Sequence, residues 1–378
     1  MKKSQQGGMD RRSFLKMSGA VGLGAAAVMG APAVASAQSE KHTPAKDYGE
    51  KIDAYSHILP KKYKEAIFEK MKKTSYYYEA DSVRPALFDL DVRFRGMDKV
   101  PGLRQVLTPG APPLEYVASP KDAVDMARMA NDEMAELVDK YPNRFVAAVA
   151  CLPLNDVDAS IREAERAVKD LKFKGIQMFT SINGKPLDSP EFLGIYEKMA
   201  QYDLPIWIHP AKDRNIPDYP GEEESKYALF LAFAWPYETT LAMSRLVFSG
   251  ILEKYPNLKC ITHHCGGMLP AFYKRVALAP PGMKTGDIQK LTRPPLDYFK
   301  RFYADTVMGG NIPALMAGHD FFGIDQLLFA SDYPYPGGAQ QGEAAMIAVI
   351  KSVEQMPVGD ADKVKMFSRN TRRILKLA

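Results

Sequence analysis

A chain of 378 residues with 46% hydrophobic side chains can bury a large core, either as two average domains or as one long barrel. Its formal charge of +5 sits at the start, where residues 1–37 hold Lys2, Lys3, Arg11, Arg12 and Lys16 against Asp10, a net of +4, so the remainder is nearly neutral. Without a basic tract interleaved with aromatics there is no nucleic-acid footprint. Three cysteines (Cys151, Cys260, Cys265) with no close CxxC pair exclude a disulfide framework and read as core residues.

Residues 1–37 read as a targeting segment. Asp10-Arg11-Arg12-Ser13-Phe14-Leu15-Lys16 precedes a weakly hydrophobic Gly/Ala-rich run and the small-x-small site Ala35-Ser36-Ala37. The paired arginines predict a twin-arginine signal peptide, hence the twin-arginine export machinery as a partner and a periplasmic or otherwise exported location. That route exports folded proteins, so a cofactor can be loaded in the cytoplasm. A polar linker, 38–49, follows, and 50–378 is predicted to be the folded domain.

The first element of that domain is Ile52–Pro60, whose alternating apolar and polar residues predict a short strand. Strict alternation would put Asp53, Tyr55 and His57 on one face, and a metal held there would want imidazoles at 55 and 57. Further strands are predicted at Arg104–Thr108, Phe145–Pro153, Gly175–Thr180, Pro205–Pro210, Lys259–His264, Phe302–Thr306 and Leu327–Pro334. Amphipathic helices are predicted between them at Ala123–Lys140, Asp158–Leu171, Pro190–Tyr202 and Glu238–Tyr255. Eight strands alternating with helices predict an α/β protein with a closed (β/α)8 TIM barrel. The rival is an open doubly wound sheet, but no GxGxxG turn follows any strand to make it a dinucleotide fold. Residues 61–103, with Tyr76-Tyr77-Tyr78, and 211–237 exceed a minimal barrel, and both leave carboxyl ends of strands, where they are placed to cover a pocket.

Four of the six histidines fall at strand ends: His57 on the first, His209 on the fifth, His263 and His264 on the sixth, while Asp332 ends the eighth. Any one alone is most simply structural, but together at one end of successive strands they are hard to explain by packing. Imidazole nitrogen and carboxylate oxygen suit one divalent metal, zinc first and manganese second. His42, in the linker, and His319, expected in a loop beside Asp320, read as solvent-exposed bystanders.

At these residues the chain resembles the amidohydrolase superfamily (metal-dependent hydrolases), in the branch of aminocarboxymuconate semialdehyde decarboxylase and the resorcylate decarboxylases. The similar blocks are Ile52–Pro60, Tyr141-Pro142-Asn143-Arg144-Phe145, Phe173-Lys174-Gly175-Ile176-Gln177, Leu204–Pro210 and Pro236-Tyr237-Glu238-Thr239-Thr240. They continue with Tyr255-Pro256-Asn257-Leu258-Lys259, His264–Pro270, Tyr303-Ala304-Asp305-Thr306, Ala330–Pro336 and a closing helix at Arg369–Leu375. The resemblance implies that His57, His209 and Asp332 are metal ligands and that His264, in register with an H-x-G-G motif, is catalytic together with Asp332. His263 is then one residue off and is expected to face the other side of the barrel. Arg93, in Arg93-Phe94-Arg95-Gly96-Met97-Asp98, resembles a segment near the family's pocket and is a candidate substrate contact. The family's dimers imply a homodimer.

Tyr55 stands where the family has a ligand. Three readings follow, in order. The metal persists on His57, His209 and Asp332, with substrate or water completing its shell; Tyr55 donates its hydroxyl to substrate in a site with weak or absent metal; or catalysis is lost and the barrel binds a ligand. The resemblance implies a metal-dependent decarboxylase (a carboxy-lyase) acting on a small aromatic or unsaturated carboxylic acid, with hydrolysis of a lactone, ester or amide as the alternative. Nearly the same residues serve both.

Overall fold

In the computed structural model residues 46–73, 75–277, 291–335 and 342–377 are described. The predicted signal, residues 1–37, and the greater part of the linker, with His42, lie outside the described residues. Eight parallel strands form the wall: β1 (Lys51–Ile58), β2 (Leu103–Pro109), β3 (Phe145–Ala148), β4 (Ile176–Phe179), β5 (Pro205–His209), β6 (Lys259–Thr262), β7 (Tyr303–Asp305) and β8 (Leu327–Leu328). They pair as two runs, β1-β2-β3 and β4-β5-β6-β7-β8. Backbone bonds close both seams. Ala150 N donates to Gly175 O (2.9 Å) and Gln177 N to Ala150 O (3.0 Å), while Ala54 N donates to Phe329 O (2.9 Å) and His57 N to Tyr333 O (2.8 Å). The barrel is therefore the (β/α)8 architecture expected from the strand count.

The helices form for local reasons. Ser119 Oγ accepts from Asp122 N (3.2 Å) to cap Pro120–Lys140, whose buried Ala123, Met126, Ala127, Ala130 and Met134 recur at helical spacing. Asp156 caps Val157–Lys169 through Ala159 N (2.9 Å). The helix expected over Glu238–Tyr255 is two: Trp235–Phe248 and Ile251–Lys254. Gly250 breaks it, adopting a left-handed φ of +76° that a helix interior does not allow. His319 lies in the helix Ile312–Phe322 rather than in a loop.

One irregularity governs the rest. Asp53 pairs with Gln105 and Ser56 with Leu107, so Ala54 and Tyr55 together oppose Val106 in a β-bulge. The extra residue reverses the alternation. Asp53, Ser56 and Gln105 share the outward side, while Tyr55 joins Val106 and Trp207 in the barrel interior. The expected common face of Asp53 and His57 is thus corrected.

Outside the wall, the fully buried Arg93 gathers the displaced polar groups. Its guanidinium donates to Gln105 Oε1 (2.9 Å), His57 O (2.8 Å), Ala86 O (3.1 Å) and Ser56 Oγ. Asp53 accepts from Ser331 N (2.9 Å), Ser331 Oγ and Gln105 Nε2 (3.3 Å). Burial pushes the Asp53 carboxyl up to about 6 against those hydrogen bonds. Arg93, expected as a substrate contact, therefore has its donors spent on the back of β1, a correction to the sequence reading. Truncating a buried, multiply bonded cation strands its acceptors. Arg93→Met is expected to lose about 3–5 kcal/mol of stability in urea unfolding, and Arg93→Lys to recover less than half. Unfolding free energies within about 1 kcal/mol of the parent would contradict this anchor role.

Candidate metal centre

Three imidazoles enter the carboxyl end of the barrel with one nitrogen already committed. His57 Nδ1 bonds Pro109 O (3.0 Å), His209 Nδ1 bonds Pro210 O (2.7 Å), and His263 Nδ1 pairs with Asp305 Oδ2. Each acceptor fixes the proton on Nδ1 and leaves Nε2 as a lone-pair donor. His57 Nε2 and His263 Nε2 each lie 3.1 Å from Asp332 Oδ1. Among the described residues these three buried atoms have no hydrogen-bond partner, which suits atoms that ligate a cation. One ligand atom from each of His57, His209, His263 and Asp332 fits within a mutual spread of 4.8 Å, so the set suits a single divalent metal.

The sequence reading brought His57, His209 and Asp332 together, and the structure does so too. It places His263 among them, where the opposite side of the barrel was expected. The cause is local. Ile261 points into the interior, so His263, two residues on in extended backbone (φ −79°, ψ 159°), does as well. The chain then turns: His264 and Cys265 have left-handed φ values of 53° and 54°, held by Asp305 accepting from both backbone N–H groups (3.2 and 2.9 Å). Asp332 is left-handed as well (φ 59°). Such conformations cluster where function fixes the backbone.

His264 stands apart from the four. Its Nδ1 has no partner, and its ring stacks on Trp235 at 5.9 Å and 27°. The close approach of Trp235 depends on Gly267, where a Cβ would meet Pro236 O at 2.3 Å. Tyr55 is wholly buried and stacks on His263 with centroids 4.2 Å apart. Burial, and then the Asp305 and Asp332 carboxylates, hold its phenol well above the ordinary range, which works against a phenolate.

Charge is divided unevenly. Burial lowers His263, but the Asp305 and Asp332 carboxylates overcome it and push the ring up to about 10. Burial and the neighbouring His263 hold His264 down to about 4, and burial likewise keeps His209 well below its usual value. Asp332 is held far below the carboxylate range despite burial, by His263 first and His57 next.

The two excursions meet beside these rings. Tyr77 Oη donates to Ala211 O (3.2 Å), Arg214 pairs with Glu79 (2.9 Å), and Tyr76 meets Phe230 edge-on at 4.9 Å and Trp235 at 6.5 Å. Trp235 Nε1 donates to Lys212 O (2.9 Å), and its ring lies 5.6 Å from that of His209. Glu238 Oε2 ties the start of the second excursion down through Ala211 N (2.9 Å) and Lys212 N (2.8 Å). Tyr335 stands edge-on to His57 at 5.1 Å, with its hydroxyl on Asp81 (2.9 Å). The sequence reading missed Trp235, Tyr335 and Asp305, although Asp305 ends a strand just as His57 does.

A model of the amidohydrolase family matches residues 52–377. The chain is 31% identical to a gamma-resorcylate decarboxylase of Polaromonas sp. over 309 residues, 78% of this chain and 90% of that one. It is 28% identical to 2-amino-3-carboxymuconate-6-semialdehyde decarboxylase of Dictyostelium discoideum over 350 residues, 86% and 89% of the two chains. A solved dihydroxybenzoic acid decarboxylase from Polaromonas sp., with bound manganese and the inhibitor 2-nitroresorcinol, superposes with a TM-score of 0.69 at 27% identity, covering 87% of this chain and 97% of that one.

Burial raises the Asp81 carboxyl to about 8, although Tyr335 and Arg84 oppose it. The fold therefore binds a proton that the unfolded chain releases near pH 4, and stability falls as pH rises from about 4 to about 8. Asp81→Asn cannot ionise, so its stability relative to the parent is expected to improve across that window, by at most about 1.4 kcal/mol per pH unit. Urea unfolding at pH 5 and pH 8 reads this, and a pH-independent difference would contradict it.

Proposed function

The chain belongs to the amidohydrolase family, and from that premise we propose that it is a metal-dependent decarboxylase of a small aromatic or unsaturated carboxylic acid. The observation that carries the reading is the convergence of His57, His209, His263 and Asp332 at the barrel mouth, with each of these imidazoles anchored through Nδ1 and the Nε2 atoms of His57 and His263 and Oδ1 of Asp332 unpartnered among the described residues. His57, His209 and Asp332 would hold one divalent cation, zinc or manganese; manganese is the ion bound in the Polaromonas relative. Bound there, the cation supplies Lewis-acid withdrawal of electron density from a carboxylate and fixes its orientation.

The remaining work falls to the chain's own residues. Trp235, Tyr76, Phe230 and Tyr335 supply aromatic surfaces beside His209, His264 and His57, suited to a flat ring. Their meeting across the two excursions limits water around the reacting carbon. His264, kept neutral, can hydrogen-bond a substrate oxygen. As the carbon–carbon bond breaks and carbon dioxide leaves, the carbon gains a proton, for which the unpartnered His264 Nδ1 and the Asp332 carboxylate oxygen not given to the cation are the proposed carriers. The export signal at residues 1–37, a periplasmic location and a homodimeric state belong to the same proposal, resting on the sequence.

Carbon dioxide release from a panel of hydroxylated benzoic acids is the direct test. At least one acid is expected to turn over in metal-loaded protein, with chelator abolishing the activity. His264→Gln is expected to lower kcat by about 10²–10⁴, and Asp332→Asn to remove activity and metal together. Hydrolysis of lactones or esters with no carbon dioxide from any acid would overturn the decarboxylase reading. For export, Arg11→Lys with Arg12→Lys is expected to hold the protein in the cytoplasm by cell fractionation. Unchanged delivery would refute the twin-arginine route.

A further inference from the structure

We infer that His263 has taken over the ligand place that the first strand lost at Tyr55, an inference that rests on the divalent-cation site proposed above. The first strand brings only His57 to the cluster as an imidazole. Its other interior ring, Tyr55, lies against the face of His263, 4.2 Å between centroids and 28° from parallel. A ring so placed supports the imidazole from the side and fills the volume that a second first-strand ligand would occupy.

His263 has every mark of a prepared ligand. Its Nδ1 is held by Asp305, and its Nε2 lies 3.1 Å from Asp332 Oδ1, the same separation that His57 Nε2 shows. Its ring centroid is 5.0 Å from that of His209 and 6.0 Å from that of His57, which are themselves 5.1 Å apart. The three rings therefore surround one point. Bonds of about 2.1 Å keep the ligands of one ion within about 4.2 Å of one another, close to the 4.8 Å spread seen here. Asp305 completes a carboxylate–imidazole pair behind the ligand, the arrangement that fixes ring orientation and raises basicity at metal sites. It also accepts from three backbone N–H groups, of His264, Cys265 and Val307, so its position is fixed independently of His263.

His264, the adjacent imidazole, lacks these features. None of the described residues anchors its Nδ1, and Trp235 covers one face of its ring. The consecutive histidines thus divide the labour: His263 is the ligand and His264 faces the substrate chemistry. The donor set becomes three imidazole nitrogens and one carboxylate oxygen, which suits zinc or manganese with positions left for substrate.

The experiment measures metal binding by the full-length protein without reference to turnover. Zinc and manganese affinities are taken by chelator competition, and the nitrogens on a substituted Cu(II) ion are counted from hyperfine splitting. The parent is expected to bind one equivalent through three nitrogens. His263→Gln, which keeps an amide for Asp305, is expected to weaken binding by about a hundredfold or more and to show two nitrogens. Tyr55→Phe is expected to bind within about threefold of the parent, and the pair Tyr55→His with His263→Gln to regain three nitrogens. Should His263→Gln fail to fold by circular dichroism, Asp305→Asn decides, with an expected loss of about 10–100-fold. Parent-like affinity and three nitrogens in His263→Gln, or unchanged affinity in Asp305→Asn, would overturn this inference and leave the proposed function standing. A parent that binds no divalent metal would overturn both.

Discussion

One extra residue in the first strand sets which side chains enter the barrel. Because Ala54 and Tyr55 together oppose Val106, the chain changes face between Asp53 and His57. Without the bulge, His57 and Asp53 would compete for the same side, and either a carboxylate would enter the interior or the ligand would leave it. With it, the polar residues go outward to Arg93 and the aromatic ones go inward to the core beneath the site. The wall is thus polar on the side of a buried cation and apolar on the side of Trp207, whose indole reaches across to Ala54 O (2.9 Å). Arg93 bonds the backbone of His57 itself, so the same guanidinium that neutralises the outer face also fixes the height of the ligand.

The chemistry at the mouth follows from how each imidazole is held. Committing Nδ1 to a protein acceptor costs the ring one degree of freedom and gives Nε2 a single direction. Three rings held in this way around one carboxylate leave buried unpaired atoms on His57, His263 and Asp332 that one cation can satisfy together. His264 is held differently, by an aromatic face, and burial first, then the neighbouring His263, hold its ring well below the usual imidazole range. A ring left free beside imidazoles aimed at a cation is a division of roles that proton-transfer chemistry can use. The left-handed backbone at His264, Cys265 and Asp332 is the local strain that accompanies it.

The cover over this centre is assembled from two distant pieces of chain. Segments following β1 and β5 are joined by an ion pair, a hydrogen bond and an edge-on aromatic contact, and they converge on Trp235. Since Trp235 touches both a metal-site ring and the catalytic candidate, movement of either segment is felt at the centre. Tyr335, tied to Asp81, links the first segment to His57 in the same manner.

The sequence by itself determined the strand-and-helix alternation, the barrel, and the presence of His57, His209 and Asp332 at strand ends. Those are local properties: periodicity marks an element, and a polar residue closing an apolar run marks where it emerges. The family followed from ordered blocks of residues spread along the whole folded region. What only the tertiary structure decided were the faces. Strict alternation put Asp53 with His57, which the bulge at Ala54 and Tyr55 undid. The register of the H-x-G-G motif turned His263 away, where alternation from Ile261 brings it inward and the left-handed turn begins only at His264. A bulge shifts the register by one residue, and in a strand one residue is the whole difference between inside and outside. Arg93 was misread because a sequence shows a cation near a pocket-forming segment but not the four acceptors that occupy it. Asp305 and Trp235 escaped notice because their importance lies in what they touch, and contacts between residues tens of positions apart exist only once the barrel has closed.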